Sequence, residues 1–330
     1  MKIDPKILSA AANRFGIELS ALRPLGGMEG LACEYKQGDQ SFVLKVTPVS
    51  KDDPDQITRT EEKCEFINFL ADNGVRVARQ IRSPSGTWVE RIETEEDYYL
   101  ISAATKAPGR HYSFYNRTEA TPNFFQAWGR ITGQMHAMAK TYRSWQKESG
   151  DEGKLSTIND WKEEHKFFQN WCQFDDIRGK WDQLGIQIEM LPRNREGFGL
   201  IHNDLHPWNF LVHKGEITVI DFDVCAYHFF AKDIAIALFF ANWHGKPLRG
   251  QTKNDYLTEF FRSFMTGYSS ENHLEAIWFK HLPLFLKHHQ ILLHTVFIDE
   301  WKTPNKWETD TLRRWRRQIL NDVPVISIQF

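Results

Sequence analysis

The stretch at residues 200–212, Leu-Ile-His-Asn-Asp-Leu-His-Pro-Trp-Asn-Phe-Leu-Val, constrains this chain more than any other part of it. Asp204 and Asn209 stand five residues apart within it, and Asp221 follows a turn and a short apolar strand. We therefore expect two carboxylates and one carboxamide to converge on one point. A small number of oxygen ligands suits magnesium, which keeps several of its waters. The spacing predicts a site that holds magnesium on a nucleotide and steers a hydroxyl at its terminal phosphate.

The bulk composition excludes several other classes of protein. A chain of 330 residues is long for one core, so two lobes or domains are expected. A net charge of −2 argues against general nucleic-acid binding, which requires a basic surface. The four cysteines are widely spaced and form no Cys-x-x-Cys pair, which argues against zinc ribbons and thioredoxin-type chemistry.

The sequence also predicts the setting of the protein. The charged start at residues 1–6 lacks an apolar run of secretory length. The longest apolar run, residues 234–241, is far shorter than the roughly 20 residues that cross a bilayer. We expect no membrane partner and a cytoplasmic location.

The order of the predicted elements indicates an α+β protein with two unlike halves. Residues 1–102 read mostly as strands, with a first helix that ends at Gly16 and a second at residues 60–71. The small residues and the Pro-Gly pair at residues 103–109 predict a connector or hinge. Residues 110–330 read as a helical domain with one hairpin, at residues 209–221. Its predicted helices are 121–140, 160–173, 175–190, 232–243, 255–266, 271–301 (with a kink at Pro283) and 309–321.

Two features of the first half suit phosphate binding. Gly26, Gly27 and Gly30 lie between two strands, where a glycine turn could bring backbone N–H groups near a phosphate, although an ordinary hairpin explains them equally well. Lys45 alternates with apolar residues in a strand, so it lies on the opposite face from them.

A solvent-facing lysine is the common alternative for Lys45. It is disfavoured because the helix at residues 60–71 offers Glu61, Glu62 and Glu65 as partners that would hold the amine towards phosphate. Of these three we favour Glu62.

Each polar residue in and after the loop at residues 202–209 has an expected role. Asp204 is the candidate acceptor of the substrate proton, while Asn209 and Asp221 are the candidate metal ligands. His202 is expected to brace the loop, and His206 either does the same or contacts substrate. Two further acids lie downstream. Asp223 is expected to be a supporting carboxylate, and Asp233 is expected either to be the N-cap of a helix or to brace the loop.

Three motifs carry a resemblance to a known family. His-Asn-Asp-Leu-His-Pro-Trp-Asn at 202–209, Ile-Asp-Phe-Asp at 220–223 and Lys-Asp-Ile-Ala at 232–235 are similar to motifs of the aminoglycoside phosphotransferase family. That group of kinase-like enzymes includes choline, homoserine and methylthioribose kinases. The protein-kinase catalytic loop has the same Asp-to-Asn interval. Residues 128–136 resemble the family's helix before that loop, and the resemblance covers most of residues 20–240.

The resemblance implies a two-lobed protein-kinase-like fold, with a small antiparallel-sheet N-lobe (1–102) and a larger helical C-lobe (110–330). It implies an enzyme that moves the γ-phosphate of ATP or GTP, with Mg²⁺, to a hydroxyl of a small molecule. Asp204 would be the base, Asn209 and Asp221 the metal ligands, and Lys45, oriented by Glu62, would bind the phosphates. The backbone around Ser102, Ala103 and Thr105 would receive the adenine. Asn203 and Trp208 depart from the family, which often has glycine at both positions.

Three alternatives stay open at this stage. The acceptor could be a protein serine or threonine, or the fold could bind nucleotide without catalysis. A metal-dependent hydrolase could use His202, Asp204, His206, Asp221 and Asp223 as zinc ligands, although Lys45 and Asn209 would then have no role.

The composition of the helical half suggests a class of acceptor. The helical half is rich in tryptophans (Trp145, Trp161, Trp171, Trp181, Trp243, Trp278, Trp301) and acids (Asp160, Glu163, Glu164, Asp175, Asp176). If a few of each meet near Asp204, a cationic hydroxylated compound is favoured. One helix carries four histidines, which could suggest a metal site: His281, His288, His289 and His294. Histidines scattered over the surface and the core are the more common explanation. Residues 147–156 are predicted to form a mobile loop, and the oligomeric state is left open.

Overall fold

The computed structural model describes residues 3–27, 30–95, 97–116, 119–142 and 156–330. Its helices are α1 Pro5–Arg14, α2 Gln56–Asp72, α3 Pro122–Ala139, α4 Trp161–Trp171, α5 Asp175–Glu189, α6 Phe230–His244, α7 Lys253–Ser269, α8 Ile277–Glu300 and α9 Lys306–Leu320. Its strands are β1 Arg23–Gly26, β2 Leu31–Gln37, β3 Gln40–Ser50, β4 Gln80–Ile81, β5 Val89–Glu93, β6 Asp97–Thr105, β7 Arg110–His111, β8 Phe198–Ile201, β9 Phe210–His213, β10 Glu216–Val219 and β11 Ala226–Phe229.

The N-terminal part is an antiparallel sheet with the order β1-β2-β3-β6, and β4 and β5 both pair with the far edge of β6. Phe42, Leu44 and Val46 of β3 are buried on one face, as their alternation predicts. They form a core with α1, while Cys64 of α2 packs with β5 and β6 in a separate core.

The first helix has a defined start and stop in its sequence. The Asp4 side chain accepts a hydrogen bond from the Lys6 N–H, and Pro5 fills the first helical position, where a missing N–H costs nothing. The helix ends at Arg14, and Gly16, the predicted stop, follows the C-cap Phe15 with a φ of 65°, in the left-handed region that glycine adopts readily.

The connector differs from its prediction at its first residues. Strand β6 continues to Thr105, because Ala103 pairs with Leu44 and Thr105 with Phe42 of β3. Residues 103–105 therefore belong to the sheet. Small side chains suit a strand that is covered by neighbours on both edges, so their size alone does not indicate a loop.

The C-terminal part is helical, and its helices α3 and α7 pack closely and run parallel, since Phe125 contacts Tyr256 near their starts and His136 contacts Tyr268 near their ends. A Cβ at Gly129 would lie 1.8 Å from the Phe264 carbonyl oxygen, and one at Gly267 would lie 1.9 Å from that of Gln126. These glycines let the two backbones touch. Pro283 lies inside α8, which begins at Ile277, six residues later than predicted. Within the described ranges, no helix combines the length and apolarity needed to span a bilayer.

Two small sheets position the loop at residues 202–209. Strand β8 leads into this loop, and β9 leads out of it and forms the predicted hairpin with β10. Strand β11 returns to pair with β8, and β7 pairs with β9. The strands β7, β8 and β11 were not predicted. The loop is thus fixed at both ends by hydrogen-bonded strands.

Candidate active site

Asp233 anchors the backbone of the loop at residues 202–209. Its carboxylate accepts the N–H of His202 at 3.2 Å and the N–H of Asn203 at 2.8 Å. The buried His136 ring on α3 lies beside the same carboxylate, with Nε2 3.1 Å from Oδ2. Asp233 is therefore a brace of the loop. The N-cap interpretation is wrong, because Asp233 lies inside the first turn of α6 and the N-cap position is Phe229.

His202 connects the loop to the segment that carries Asp221. Its Nδ1 accepts the Asp204 N–H at 3.3 Å, and its Nε2 lies 3.0 Å from the Ile220 carbonyl oxygen. An imidazole that accepts at Nδ1 carries its proton at Nε2, so the second contact is a donated hydrogen bond. Both ring nitrogens are used within the protein, which makes His202 a brace rather than a metal ligand.

The Asp204 carboxylate is held by two neighbours. Asn209 Nδ2 donates to Asp204 Oδ2 and to the Asp204 carbonyl oxygen, both at 2.9 Å. His206 Nε2 lies 3.2 Å from the same Oδ2, and its Nδ1 accepts the Trp208 N–H. Because Asn209 spends its amide hydrogens on Asp204, its Oδ1 is the atom that remains to bind a cation.

Lys45 crosses from the sheet to the helical part and meets two acids. Its Nζ lies 3.0 Å from Asp221 Oδ1 and also contacts Asp223 Oδ2. Burial acts to lower the pKa of Lys45, but the two carboxylates outweigh it and the pKa is raised. Burial acts to raise the pKa of Asp221, but the charge of Lys45 outweighs it and the pKa lies below its usual range. Lys45 and Asp221 are therefore both charged at neutral pH.

Two predictions about these partners are corrected. Glu62 does not orient Lys45: its carboxylate accepts hydrogen bonds from Ser156 Oγ at 2.6 Å and from the Thr157 N–H at 2.9 Å. Asp223 is a direct partner of Lys45 rather than a supporting residue behind Asp221. The alternation of a strand could not have indicated this, because Asp221 has a positive φ and Asp223 lies in a turn, so the segment is not extended.

The oxygen atoms of this cluster suit a hard divalent cation. Asp221 adopts a φ of 62°, and its side chain is 45% exposed beside Asp223. Together with Asn209 Oδ1 they form a small set of oxygen donors, which is the kind magnesium prefers. The donor chemistry therefore fits Mg²⁺ at Asn209 and Asp221, with Asp223 as a further donor.

The hydrolase interpretation loses its basis. Among the described residues there is no group of three or more His, Cys, Asp or Glu side chains placed to hold a metal ion. The four histidines of the α8 segment form no such group either, and His288, His289 and His294 are buried.

The glycine turn approaches β3 closely. A Cβ at Gly30 would lie 2.6 Å from the Val46 carbonyl oxygen, and one at Gly27 would lie 2.3 Å from the Gly30 oxygen. Only glycine permits this path, one residue along β3 from Lys45. Gly27 thus lies close to Gly30, and Gly30 lies close to β3, next to the lysine that contacts Asp221.

The backbone predicted to receive adenine is partly used by the sheet. Ser102 and Ala103 pair with β3, and the Thr105 N–H donates to the Arg79 carbonyl oxygen at 2.8 Å. The Lys106 N–H donates to Ser41. The backbone from Ala107 onwards lies after the last of these sheet hydrogen bonds in the sequence.

The expected cluster of acids around Asp204 does not form. Of the five acids named above, only Glu164 contacts the loop, through Asn203 at 2.7 Å. The others pair with arginine or cap helix α4: Asp160, Glu163, Asp175 and Asp176. Trp161, Trp181 and Trp278 are core residues. Trp145 and the predicted mobile segment up to residue 155 lie outside the described residues.

An aromatic row begins instead beside the Asp204 carboxylate. Trp208 is 50% exposed and packs on His206, with ring centroids 5.4 Å apart. It also packs on His244 at 5.3 Å, and His244 packs on Trp243 at 4.4 Å. Trp243 lies parallel to Trp307, which is 51% exposed. A partly exposed aromatic surface thus extends from Trp208 to Trp307. It is connected to Asp204 through His206, which contacts both Asp204 and Trp208.

Comparison with known proteins places this geometry in a family. The phosphotransferase enzyme family (APH) matches residues 21–268. Amicoumacin kinase of Bacillus subtilis (strain 168) is 29% identical over 339 residues, covering 99% of this chain and 95% of that protein. A solved amicoumacin kinase, hAmiN, in complex with AMP-PNP, Ca2+ and Ami, superposes with a TM-score of 0.88 at 27% identity, covering 99% of this chain and 96% of that one.

A microcompartment-associated aminopropanol kinase shares the fold, with a TM-score of 0.73 at 20% identity, covering 97% of this chain and 99% of that chain. The family match spans well over half of the sequence and includes Lys45, the loop at residues 202–209 and Asp221. The chain therefore belongs to the phosphotransferase enzyme family, the kinase-like enzymes that phosphorylate hydroxyl groups of small molecules.

Proposed function

We propose that this protein transfers the γ-phosphate of ATP to a hydroxyl of amicoumacin or a closely related compound. The observation that carries the phosphotransfer is the contact of Lys45 Nζ with Asp221 and Asp223, next to the loop in which Asn209 holds Asp204. A cation for phosphate, oxygen donors for a metal and a carboxylate for the hydroxyl proton thus meet between the sheet and the helical part.

Each residue has a separate task in this proposal. Lys45 binds the α- and β-phosphates, and the turn at Gly27 and Gly30 brings backbone towards them. Asn209 and Asp221 hold Mg²⁺, which neutralises charge on the phosphates when bound. Asp204 accepts the hydroxyl proton as the acceptor oxygen attacks, and His206 and Asn209 keep its carboxylate in place.

The nucleotide lies between residues 1–102 and the helical domain in this proposal, with the connector at residues 103–109 as the hinge. Since the sheet uses the backbone up to Lys106, the part of the connector from Ala107 onwards is the better candidate to receive adenine. All four cysteines are free, buried thiols, which supports a reducing, ATP-containing cytoplasm as the location.

The acceptor is proposed from the relatives and from the aromatic surface. Two amicoumacin kinases align with this chain over almost its full length. The surface from Trp208 to Trp307 offers flat rings beside Asp204, which suits an organic acceptor larger than a simple amino alcohol.

The experiment is acceptor-dependent ADP release by the purified protein with Mg²⁺ and ATP, with the product identified by mass spectrometry. The panel contains amicoumacin, aminopropanol, spectinomycin and a serine-containing peptide mixture, and Asp204→Asn is the matched inactive variant. We expect turnover with amicoumacin and gain of one phosphate. Faster turnover of aminopropanol or the peptides would overturn the acceptor, and no transfer to any hydroxyl compound would overturn the activity.

A further inference from the structure

The Asn203 side chain, directly before Asp204, ties three segments together. Its Nδ2 donates to Glu164 Oε2 of α4 at 2.7 Å and to the Val224 carbonyl oxygen at 3.1 Å. Val224 follows Asp223 in the sequence, and Asn203 is buried, at 6% exposure. One amide group therefore connects the loop of Asp204, the helix α4 and the segment that carries the metal-binding acids.

The orientation of this amide is fixed by its partners. Both acceptors are oxygen atoms, so a flipped amide would set oxygen against oxygen. The observed orientation leaves Oδ1 of Asn203 buried without a hydrogen-bond partner in the described part of the chain. Burying an oxygen atom without a hydrogen-bond partner costs free energy. The two donated hydrogen bonds therefore stabilise this orientation by more than that cost.

The backbone alone does not require this side chain. Asn203 has a φ of 67°, in the left-handed region where glycine is free of strain and asparagine is tolerated. A glycine would make the turn at least as easily. The asparagine therefore contributes its amide bonds rather than its backbone conformation.

The hydrogen bonds from the Asn203 amide to Glu164 and Val224 are called the tether below. Glu164 is held in place by the packing of its helix. It lies on α4, which begins with a capping box at Asp160 and buries Trp161 at 2% exposure. Burial raises the pKa of Glu164, while the buried Lys232 opposes the shift. Lys232 Nζ itself lies 2.7 Å from His288 Nδ1 of α8. The carboxyl group is thus embedded between the loop and packed helices.

We infer that Asn203 and Glu164 are positioning residues, which hold the base Asp204 in register with Asp221 by fixing the Asn203 amide between Glu164 and Val224. The inference rests on the proposed phosphotransfer, in which a small misplacement of the base costs about 100-fold in rate. It gives α4 a role in catalysis through the hydrogen bond from Asn203 to Glu164.

Four substitutions separate the hydrogen bonds from the fold. Asn203→Gly keeps the backbone conformation and removes the amide. Asn203→Asp keeps the shape but turns both donors into acceptors. Glu164→Ala removes the anchor, whereas Glu164→Gln keeps an oxygen that accepts the same bond. Lys214→Gly is the matched control, because Lys214 also has a positive φ, of 51°, and lies in the hairpin turn.

We expect kcat to fall about 10- to 100-fold in Asn203→Gly, Asn203→Asp and Glu164→Ala, with the KM for ATP within about twofold of the parent. Glu164→Gln and Lys214→Gly retain the parent kcat. Unchanged kcat in Asn203→Gly would overturn the inference. So would a Glu164→Gln variant as slow as Glu164→Ala, because the hydrogen bond would then not be the cause.

Hydrogen–deuterium exchange of the amides at residues 204–209 provides a readout that needs no turnover. The three impaired variants should exchange faster there than the parent, and Glu164→Gln and Lys214→Gly at the parent rate. Equal exchange in all five would contradict the tether. If this pattern appears in a protein that phosphorylates no acceptor, the tether is supported and the proposed activity is the part that fails.

Discussion

Lys45 of β3 and Asp221, which follows β10, form an ion pair of 3.0 Å that joins the sheet to the helical part of the molecule. The pair sets both groups in their charged forms, as the opposite shifts of their pKa values show. In the proposed function this pair places a cation and a metal-binding carboxylate side by side for a triphosphate.

Replacing Lys45 by methionine should lower kcat/KM for ATP by about 10²- to 10³-fold, because one preorganised charge on the phosphates is lost. Without Lys45, burial raises the pKa of Asp221 with less opposition. As the pH is lowered, the remaining activity should therefore be lost at a higher pH than in the parent. Steady-state kinetics at several pH values checks both effects. Lys51→Met is the control, because Lys51 contacts the carbonyl oxygens of Thr94 and Glu95. Equal kcat/KM in the two variants would contradict the role of Lys45.

Replacing Asp204 by asparagine should lower kcat by about two to four decades and leave nucleotide affinity nearly unchanged. The amide is close in size, and it removes the group that accepts the hydroxyl proton. Single-turnover kinetics together with nucleotide titration separates the two quantities. A variant with normal kcat and weakened ATP binding would assign Asp204 to the nucleotide instead.

Replacing Trp208 by alanine should raise the KM of the acceptor at least about tenfold, because the half-exposed ring loses its stacking surface, while the KM for ATP stays the same. Trp307→Ala tests the far end of the aromatic surface in the same assay. An unchanged acceptor KM in both variants would remove this surface from the acceptor site.

Acid should destabilise the fold through its buried histidines. Burial lowers the pKa of His165 and of His294 to about 4, below the ordinary value of 6.5. Between these values the unfolded chain binds the proton and the folded chain does not, so stability falls as the pH falls. Each such histidine contributes a slope of up to about 1.4 kcal/mol per pH unit.

Urea unfolding between pH 7 and about pH 4.5 measures this loss. His294→Leu should show a shallower pH dependence than the parent, since both His294 ring nitrogens lack a hydrogen-bond partner among the described residues. Parallel curves for the two proteins would show that His294 does not contribute to the acid sensitivity.

Much of this architecture could be predicted from the sequence, for identifiable reasons. Long helices with apolar faces, such as α3, and the alternation around Lys45 are periodic signals that local pattern reveals. The loop at residues 202–209 carries its chemistry in a short stretch. The resemblance to a family therefore rested on residues that the structure brings together.

Other parts depend on tertiary contacts that local pattern does not contain. Strands β8 and β11 have four residues each and are almost wholly buried, so they show no alternation. Helix α2 offers three glutamates near Lys45, and only the fold shows that Glu62 binds Ser156 and Thr157. The tether from Glu164 to Asn203 joins residues 39 positions apart and has no sequence signal of its own.

The central claim is that Asp221, beside Lys45, holds the metal of a metal–nucleotide complex, and calorimetric titration of AMP-PNP with and without Mg²⁺ tests it most directly. We expect Mg²⁺ to tighten nucleotide binding in the parent and in the control Glu216→Ala, and to have no effect in Asp221→Ala. Binding to Asp221→Ala that tightens with Mg²⁺ as much as in the parent would contradict the account.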